Sequence, residues 1–196
     1  MSAVNAELAG YLGSRRTIPA LQLGDPGPDA EALRGILAIA ARVPDHGKLV
    51  PWRFIVFDRA SRSRLVGELQ AIAGRFPEPR EAAARVEKAK TFGAAPTVVA
   101  VVSRAGEHPK IPVWEQQLSA GAACLNLVHA AHAYGFSGQW LSGWYAYDPD
   151  AARLFGLGEG ERIAGFIHIG TPTVPPSERD RPDLDAITTH WGAETA

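Results

Sequence analysis

The sequence predicts an α+β sandwich, a sheet flanked by helices, and three observations lead to that fold class. Residues 96–102 are a nearly continuous β-rich run, which is typical of a strand covered on both faces. Residues 113–134 form the longest helical segment and carry apolar or small side chains around most of the circumference, so we expect a central helix buried on nearly all sides. The helices and strands alternate too irregularly for a doubly wound parallel sheet.

Local patterns place the other elements along the chain. Asp29 is a good N-cap for a helix. Leu65, Leu69 and Ile72 would share one side of another helix. These patterns predict further helices at 4–13, 30–42, 60–74, 81–90 and 149–155, and further strands at 52–57, 139–143 and 162–169.

Size and charge restrict the classes of protein that fit. The 196 residues, 46% of them hydrophobic, suit a single domain over residues 1–196. Lys and Arg number 20 against 21 Asp and Glu, so no global field favours nucleic acid or an anionic membrane. The sequence has neither a signal-peptide pattern nor an apolar run near the ~20 residues of a membrane span, so we expect a cytoplasmic protein.

A stiff loop rich in hydrogen-bond donors joins the second helix to the first long strand. The 44–52 loop reads Pro-Asp-His-Gly-Lys-Leu-Val-Pro-Trp, with two prolines and a glycine around an acid, an imidazole and an ammonium. An ordinary surface connection would account for Pro44 as a helix stop. Because the polar groups exceed what the fold needs, we interpret the loop as a ligand clamp.

Arginines lie at both ends of the chain. Arg15, Arg16 and Thr17 follow the first helix, and Arg179 and Arg181 alternate in the tail. The first two could simply complement a helix C-terminus. Guanidinium groups also bind phosphate bidentately, and the sequence has no GxGxxG or Walker loop to hold a phosphate otherwise. We therefore predict a phosphate cradle.

A tryptophan segment between glycines provides another candidate contact. It comprises Trp140, Leu141, Ser142 and Gly143, preceded by Gly138. Trp140 could be a core residue at the end of a strand. Because flanking glycines permit close backbone approach, we favour contact with a ligand.

The sequence gives less support to a metal site or to a Ser-His-Asp triad. His46 has no second His or Cys at ligand spacing in its loop, and His129 and His132 on one helix are more simply packing residues. We therefore expect no metal. No serine lies in a nucleophile elbow, and the single Cys124, in an apolar helix, is expected to behave as a small hydrophobe.

Taken in order, these motifs resemble the nitroreductase superfamily of FMN-dependent oxidoreductases, particularly its short single-domain members. Residues 15–17 resemble the family's Arg-Arg-Ser, and the 44–52 loop resembles its Pro-Ser-x-x-Asn-x-Gln-Pro-Trp pattern. Within that loop Asp45 and His46 replace small hydroxyl residues, Lys48 replaces asparagine and Val50 replaces glutamine. The resemblance covers essentially the whole chain.

The resemblance implies a nitroreductase-like sandwich with a mostly antiparallel central sheet. It implies a homodimer with shared active sites, in which NADH or NADPH reduces bound FMN and a nitroaromatic, quinone or similar acceptor then enters the same pocket. Chemistry resides in the cofactor, so no catalytic residue is assigned. The implied FMN contacts are Arg15, Arg16, Thr17, Arg179 and Arg181 for the phosphate, Trp140, Leu141, Ser142 and Gly143 along the ring, and Arg42, His46 and Lys48 from the neighbouring subunit.

Two other functions are also consistent with the sequence. A non-catalytic module that stores or senses flavin would use the same contacts, and a metal-dependent hydrolase would require stoichiometric metal. Core packing is the simpler interpretation of Trp114, Trp144, Tyr145 and Tyr147, although residues 144–147 could also line the pocket over the flavin.

Overall fold

The computed structural model describes residues 3–192, and residues 1, 2 and 193–196 lie outside that part. The described residues separate into two compact units. The terminal unit combines residues 3–16 with residues 175–192, and the central unit is Thr17–Val174.

All predicted helices and strands occur in the predicted order, and the structure adds a two-residue strand at Leu23–Gly24 and a short helix at Leu184–Ile187. The helices are α1 Ala6–Ser14, α2 Ala30–Ala40, α3 Arg59–Ala73, α4 Pro79–Phe92, α5 Val113–Ala133, α6 Pro149–Leu154 and α7 Leu184–Ile187. The strands are β1 Leu23–Gly24, β2 Trp52–Phe57, β3 Thr97–Ser103, β4 Ser137–Leu141 and β5 Arg162–Pro172. Short 3-10 turns lie at Ala20–Gln22, His46–Lys48 and Trp144–Ala146. The predicted N-cap is confirmed, since the Asp29 carboxylate accepts the Ala32 N–H at 2.8 Å.

The sheet is antiparallel throughout the described pairings and is centred on β5. One edge of β5 pairs with β3, which in turn pairs with β2, while β4 pairs with the other edge. The two residues of β1 pair with the end of β5. The α+β sandwich with a mostly antiparallel sheet is therefore confirmed.

Both faces of the sheet are covered, as the apolar run in β3 predicts. Val99 and Val101 pack in a core with α2 and α5. Val98, Ala100 and Val102 pack on the opposite face, against α3, α4 and α6 in an aromatic-rich core. All five side chains are fully buried. The alternation follows from the two-residue period of a strand between two helical layers.

Helix α5 is the predicted long central helix, but the described residues cover it on one side only. Ala123, Cys124 and Leu127 are fully buried against the sheet. Trp114, Leu118 and Leu125 lie on the other side and are 66%, 53% and 44% exposed. The expectation of burial on nearly all sides therefore has to be corrected for a single chain, because no described element packs over that strip.

Two strands differ from the prediction by two residues or more, and β3 is shifted by one residue, to Thr97–Ser103. Strand β4 covers Ser137–Leu141 rather than 139–143, because its ladder with β5 ends where Leu141 pairs with Phe166. Strand β5 continues to Pro172, three residues beyond the predicted end, because its last residues pair with β1. None of the described helices has the length and apolar character needed to cross a membrane.

Candidate functional site

Within the terminal unit, three donors converge on one carboxylate oxygen, Oε1 of Glu178. Arg16 Nη1 donates to it at 2.5 Å, and the backbone N–H of Arg179 donates at 2.8 Å. Arg181 Nη2 lies 3.6 Å from the same oxygen. The structure thus brings the guanidinium groups of two of the four predicted arginines, and the backbone N–H of a third, to a single anion.

These contacts hold the pKa of Glu178 below its usual range. The largest cause is the Arg179 N–H bond, and the positive charges of Arg16 and Arg181 act in the same direction. The Arg16 side chain is only 12% exposed, whereas those of Glu178 and Arg181 are 77% and 56% exposed. The cluster therefore combines one largely buried cation with two exposed partners.

The other two residues of the predicted cradle have different surroundings. Arg15 caps α1, donating its backbone N–H to the Tyr11 carbonyl at 2.9 Å. Its charge acts on the Tyr11 phenol, partly offsetting the burial that raises the pKa of that phenol. Thr17 is the first residue of the central unit and is exposed. The contacts around Glu178 thus involve Arg16, Arg179 and Arg181 but neither Arg15 nor Thr17 among the described residues.

In the central unit, the 44–52 loop is held in a sparsely populated backbone conformation. Gly47, Lys48 and Val50 have φ values of +70°, +56° and +48°. Asp45 stabilises this path because its carboxylate accepts the N–H groups of Leu49 at 3.0 Å and Val50 at 2.9 Å. A left-handed conformation is unusual for a β-branched residue and indicates a locally constrained segment.

Helix α5 fixes the loop with polar side chains on one side. Ser119 Oγ donates to the Pro44 carbonyl at 2.6 Å and accepts the Trp52 indole N–H at 3.1 Å. Glu115 Oε2 lies 2.7 Å from His46 Nδ1. Sequence reasoning missed Glu115 and Ser119, although polar residues four apart on an otherwise apolar helix were a usable signal.

The three side chains that were predicted to reach a neighbouring subunit all lie at the surface. Arg42, His46 and Lys48 are exposed, while the backbone that carries them is anchored. Asn126 Nδ2 donates to the Arg42 carbonyl at 3.2 Å, and Arg104 Nη2 donates to the Val50 carbonyl at 2.9 Å. A loop with an anchored backbone and exposed polar side chains is suited to contact a molecule outside the chain.

At the end of β4, Trp140 lies on the sheet rather than in the core. Its ring is over Gly165, where an added Cβ would lie 2.0 Å from the indole nitrogen. The indole N–H donates at 3.3 Å to the carbonyl of Ala164, the extra residue of a bulge between β5 and β3. Trp140 remains 43% exposed. The alternative of a core tryptophan is therefore wrong.

Gly143 does not provide the predicted room for a ligand. An added Cβ there would lie 2.5 Å from the ring of Tyr145, so the glycine makes room for a neighbour within the chain. Tyr145 is 1% exposed and packs in the aromatic core, as the simpler interpretation had it, whereas Tyr147 is 77% exposed. Ser142 and Gly143 follow the last residue paired with β5, so their amides lie beyond the ladder.

A single chain keeps the 44–52 loop away from residues 140–143. Both lie toward the same end of the sheet, but β4 and β2 are its opposite edges, with β5 and β3 between them. Three strand spacings amount to roughly 14 Å. The predicted site residues therefore form separate groups within one copy of the chain.

Cysteine and metal chemistry add little to this picture. Burial raises the pKa of the Cys124 thiol to about 12, which is the behaviour expected of a structural cysteine. The part of the chain that the structure describes contains no group of three or more His, Cys, Asp or Glu placed to hold a metal ion.

Comparisons with known proteins agree with this fold. The family model described as "Nitroreductase family" matches residues 12–171. The Escherichia coli K12 protein named "Putative NAD(P)H nitroreductase YdjA" is 35% identical over 176 residues, which cover 88% of this chain and 93% of that protein. A similarly named Haemophilus influenzae protein is 38% identical over 152 residues, covering 76% of this chain and 81% of its own.

Solved structures show the same architecture. A nitroreductase-like family protein from Bacillus cereus superposes with a TM-score of 0.81 at 23% identity, covering 98% of this chain and all of that one. A nitroreductase with bound FMN from Bacteroides fragilis gives 0.67 at 18% identity, covering 97% and 98% of the two chains. The fold and the matched sequence define an oxidoreductase class. The chain belongs to the nitroreductase family, as the motifs predicted.

Proposed function

We propose that this protein is an FMN-dependent oxidoreductase that takes reducing equivalents from NADH or NADPH and passes them to a nitroaromatic, quinone or similar acceptor. The observation that carries the proposal is the convergence of two guanidinium groups and a backbone N–H on one anionic oxygen. In a nitroreductase family member, such an arrangement fits the phosphate of FMN.

The residues proposed for the cofactor divide by the part that they would hold. Arg15, Arg16, Thr17, Arg179 and Arg181 would bind the phosphate. Trp140, Leu141, Ser142 and Gly143 would lie along the ring, where amides beyond the β4 ladder can stabilise negative charge. When bound, the flavin supplies the hydride and electron transfer itself, so the chain contributes binding and orientation and no acid or base.

The proposal includes a homodimer of single FMN-binding domains over residues 1–196. The exposed strip of Trp114, Leu118 and Leu125 is an apolar helix face that a second copy would cover. The same helix anchors the loop through Glu115 and Ser119. A second copy that covers α5 would therefore contact Arg42, His46 and Lys48. Within one chain the 44–52 loop lies roughly 14 Å from residues 140–143, so these side chains would serve the site of the partner.

The visible spectrum of the purified protein tests the cofactor assignment. We expect non-covalent FMN that acid precipitation releases, bleaching with NADH or NADPH, and recovery when a quinone or nitroaromatic is added. A protein that remains colourless after incubation with FMN would contradict the proposal. A bound flavin that no reduced nicotinamide bleaches would favour the storage or sensing module instead.

A mixed dimer tests whether the loop acts across the interface. One subunit carries His46→Ala and Lys48→Ala, and the other carries Arg16→Ala and Arg181→Ala. If the loop acts on the partner, one of the two sites is intact and the other has both defects, so half of the FMN binds with wild-type affinity. If the loop acts within its own chain, each site has one defect and no site binds normally.

A further inference from the structure

We propose that Glu178 is an internal anion that competes with the phosphate group of the ligand for Arg16 and Arg181, and so tunes the affinity for a phosphorylated flavin over an unphosphorylated one. The inference rests on the proposed function, because it concerns the same arginines.

The geometry supports a competitor rather than a structural partner. Arg16 Nη1 and the Arg179 N–H donate to one oxygen, Oε1 of Glu178, and Arg181 Nη2 lies 3.6 Å from the same oxygen. A phosphate monoester presents three terminal oxygens and a charge of about −1.5 to −2 at neutral pH, against one charge on a carboxylate. It can therefore satisfy the same donors, and can also take the bidentate geometry that guanidinium groups favour.

Exposure indicates which partner would leave. Glu178 is 77% exposed, so its carboxylate can rotate into water, where it is well solvated, at little cost. Arg16 is 12% exposed, so its side chain has little room to rotate away. The exchange would therefore keep the arginine in position and replace one anion by another.

The tail supplies a matched control for this role. Asp180 carries the same charge two residues from Glu178, and no contact to the arginine cluster is found for it among the described residues. The third tail acid, Asp183, is occupied as the cap of α7, where it accepts the Asp185 N–H at 3.1 Å. Glu178→Gln and Asp180→Asn thus remove the same charge, but only the first removes the proposed competitor.

Titration of the full-length apoprotein with FMN and with riboflavin, followed by flavin fluorescence, tests the inference. Glu178→Gln should bind FMN about two- to fivefold more tightly, as expected for the loss of an exposed ion pair. Riboflavin affinity should not change, because riboflavin has no phosphate to compete. Asp180→Asn should bind both flavins within about 1.5-fold of wild type at moderate salt, where charges without contact are screened.

A second measurement does not depend on flavin. Inorganic phosphate should raise the melting temperature of Glu178→Gln at lower concentrations than it does for wild type or Asp180→Asn. Unchanged or weaker FMN binding by Glu178→Gln, or equal gains for FMN and riboflavin, would overturn the inference. If wild type and variants bind no flavin, the proposed function fails, and the phosphate measurement alone then decides whether Glu178 competes with an anion.

Discussion

Two arginine–glutamate pairs in this protein differ in how many carboxylate oxygens of the glutamate accept hydrogen bonds. Arg53 and Glu161 form a bidentate pair, with Nε–Oε1 at 2.8 Å and Nη2–Oε2 at 2.6 Å. Arg53 also donates to the Gly156 carbonyl, and Glu161 accepts the Gly158 N–H at 2.8 Å. In the other pair, the contacts of Arg16 and its neighbours all reach a single oxygen of Glu178.

The comparison separates a structural pair from an exchangeable one. In the first pair both carboxylate oxygens are bound, and the pair ties the start of β2 to the turn before β5. In the second pair the glutamate is exposed, and the arginines can bind a different anion in its place. Both pairs join an arginine to a glutamate, so residue type does not distinguish them. They differ in the number of carboxylate oxygens that accept hydrogen bonds and in the exposure of the glutamate side chain.

The largest expected effect concerns the arginines around Glu178. Arg16→Ala should weaken FMN binding about ten- to a hundredfold, because a charge-assisted contact is worth roughly 1.5 to 3 kcal/mol. Arg181→Ala should cost about tenfold, since its side chain is more exposed and lies farther from the anion. Fluorescence titration of the apoproteins measures both changes.

Arg15→Ala tests how the proposed phosphate contacts divide between the two neighbouring arginines. It removes a neighbouring arginine whose contact with the anionic oxygen is not found among the described residues, so it should weaken FMN binding less than either other variant. Circular dichroism should show the same helix content in all three proteins. An Arg15→Ala defect equal to that of Arg16→Ala would mean that Glu178 does not mark the phosphate position.

On the structural side, Glu161→Gln should lower the free energy of unfolding by about 2 kcal/mol, because it weakens charge-assisted bonds to Arg53 in a partly buried position. For a chain of this size that is roughly 4 to 8 °C in melting temperature. Glu178→Gln should leave the melting temperature of the flavin-free protein nearly unchanged. Equal shifts for the two variants would contradict the distinction between the pairs.

The pH dependence of stability sharpens the same contrast. The hydrogen bonds from Arg53 are the main reason why the pKa of Glu161 falls from 4.5 to about 2. A carboxyl whose pKa is lower in the folded state stabilises the fold above about pH 4.5, and the contribution disappears as pH falls toward 2. Denaturation at several pH values should therefore show wild type and Glu161→Gln converging in acid.

Sequence patterns predicted the fold well because it follows from local periodicity. The apolar run of β3 and the cap at Asp29 each dictate one element. They could not predict that α5 would stay exposed at Trp114, since composition does not reveal which side of a helix the rest of the chain covers.

The candidate site was predictable only in part. Arginines in the right order pointed to an anion site, but the converging oxygen belongs to Glu178, which is distant in sequence from Arg16. Likewise, the role of Gly165 depends on the Trp140 ring of another strand. Contacts of this kind depend on tertiary packing and leave no periodic signal in the sequence.

The smallest expected effect concerns the loop that leads into Arg53. Val50 has a φ of +48°, a conformation that costs a β-branched residue about 1 to 2 kcal/mol and that asparagine tolerates far better. Val50→Asn should therefore raise the free energy of unfolding by about 1 kcal/mol.

Val56→Asn is the matched control, because Val56 is similarly exposed, at 41% against 44%, but lies in extended strand β2. There the change should destabilise the protein, since asparagine is disfavoured in strands. Chemical denaturation of the two variants should give opposite signs. If both variants lose stability, Val50 is not strained, and the loop owes its shape to the Asp45 and Ser119 contacts without backbone strain.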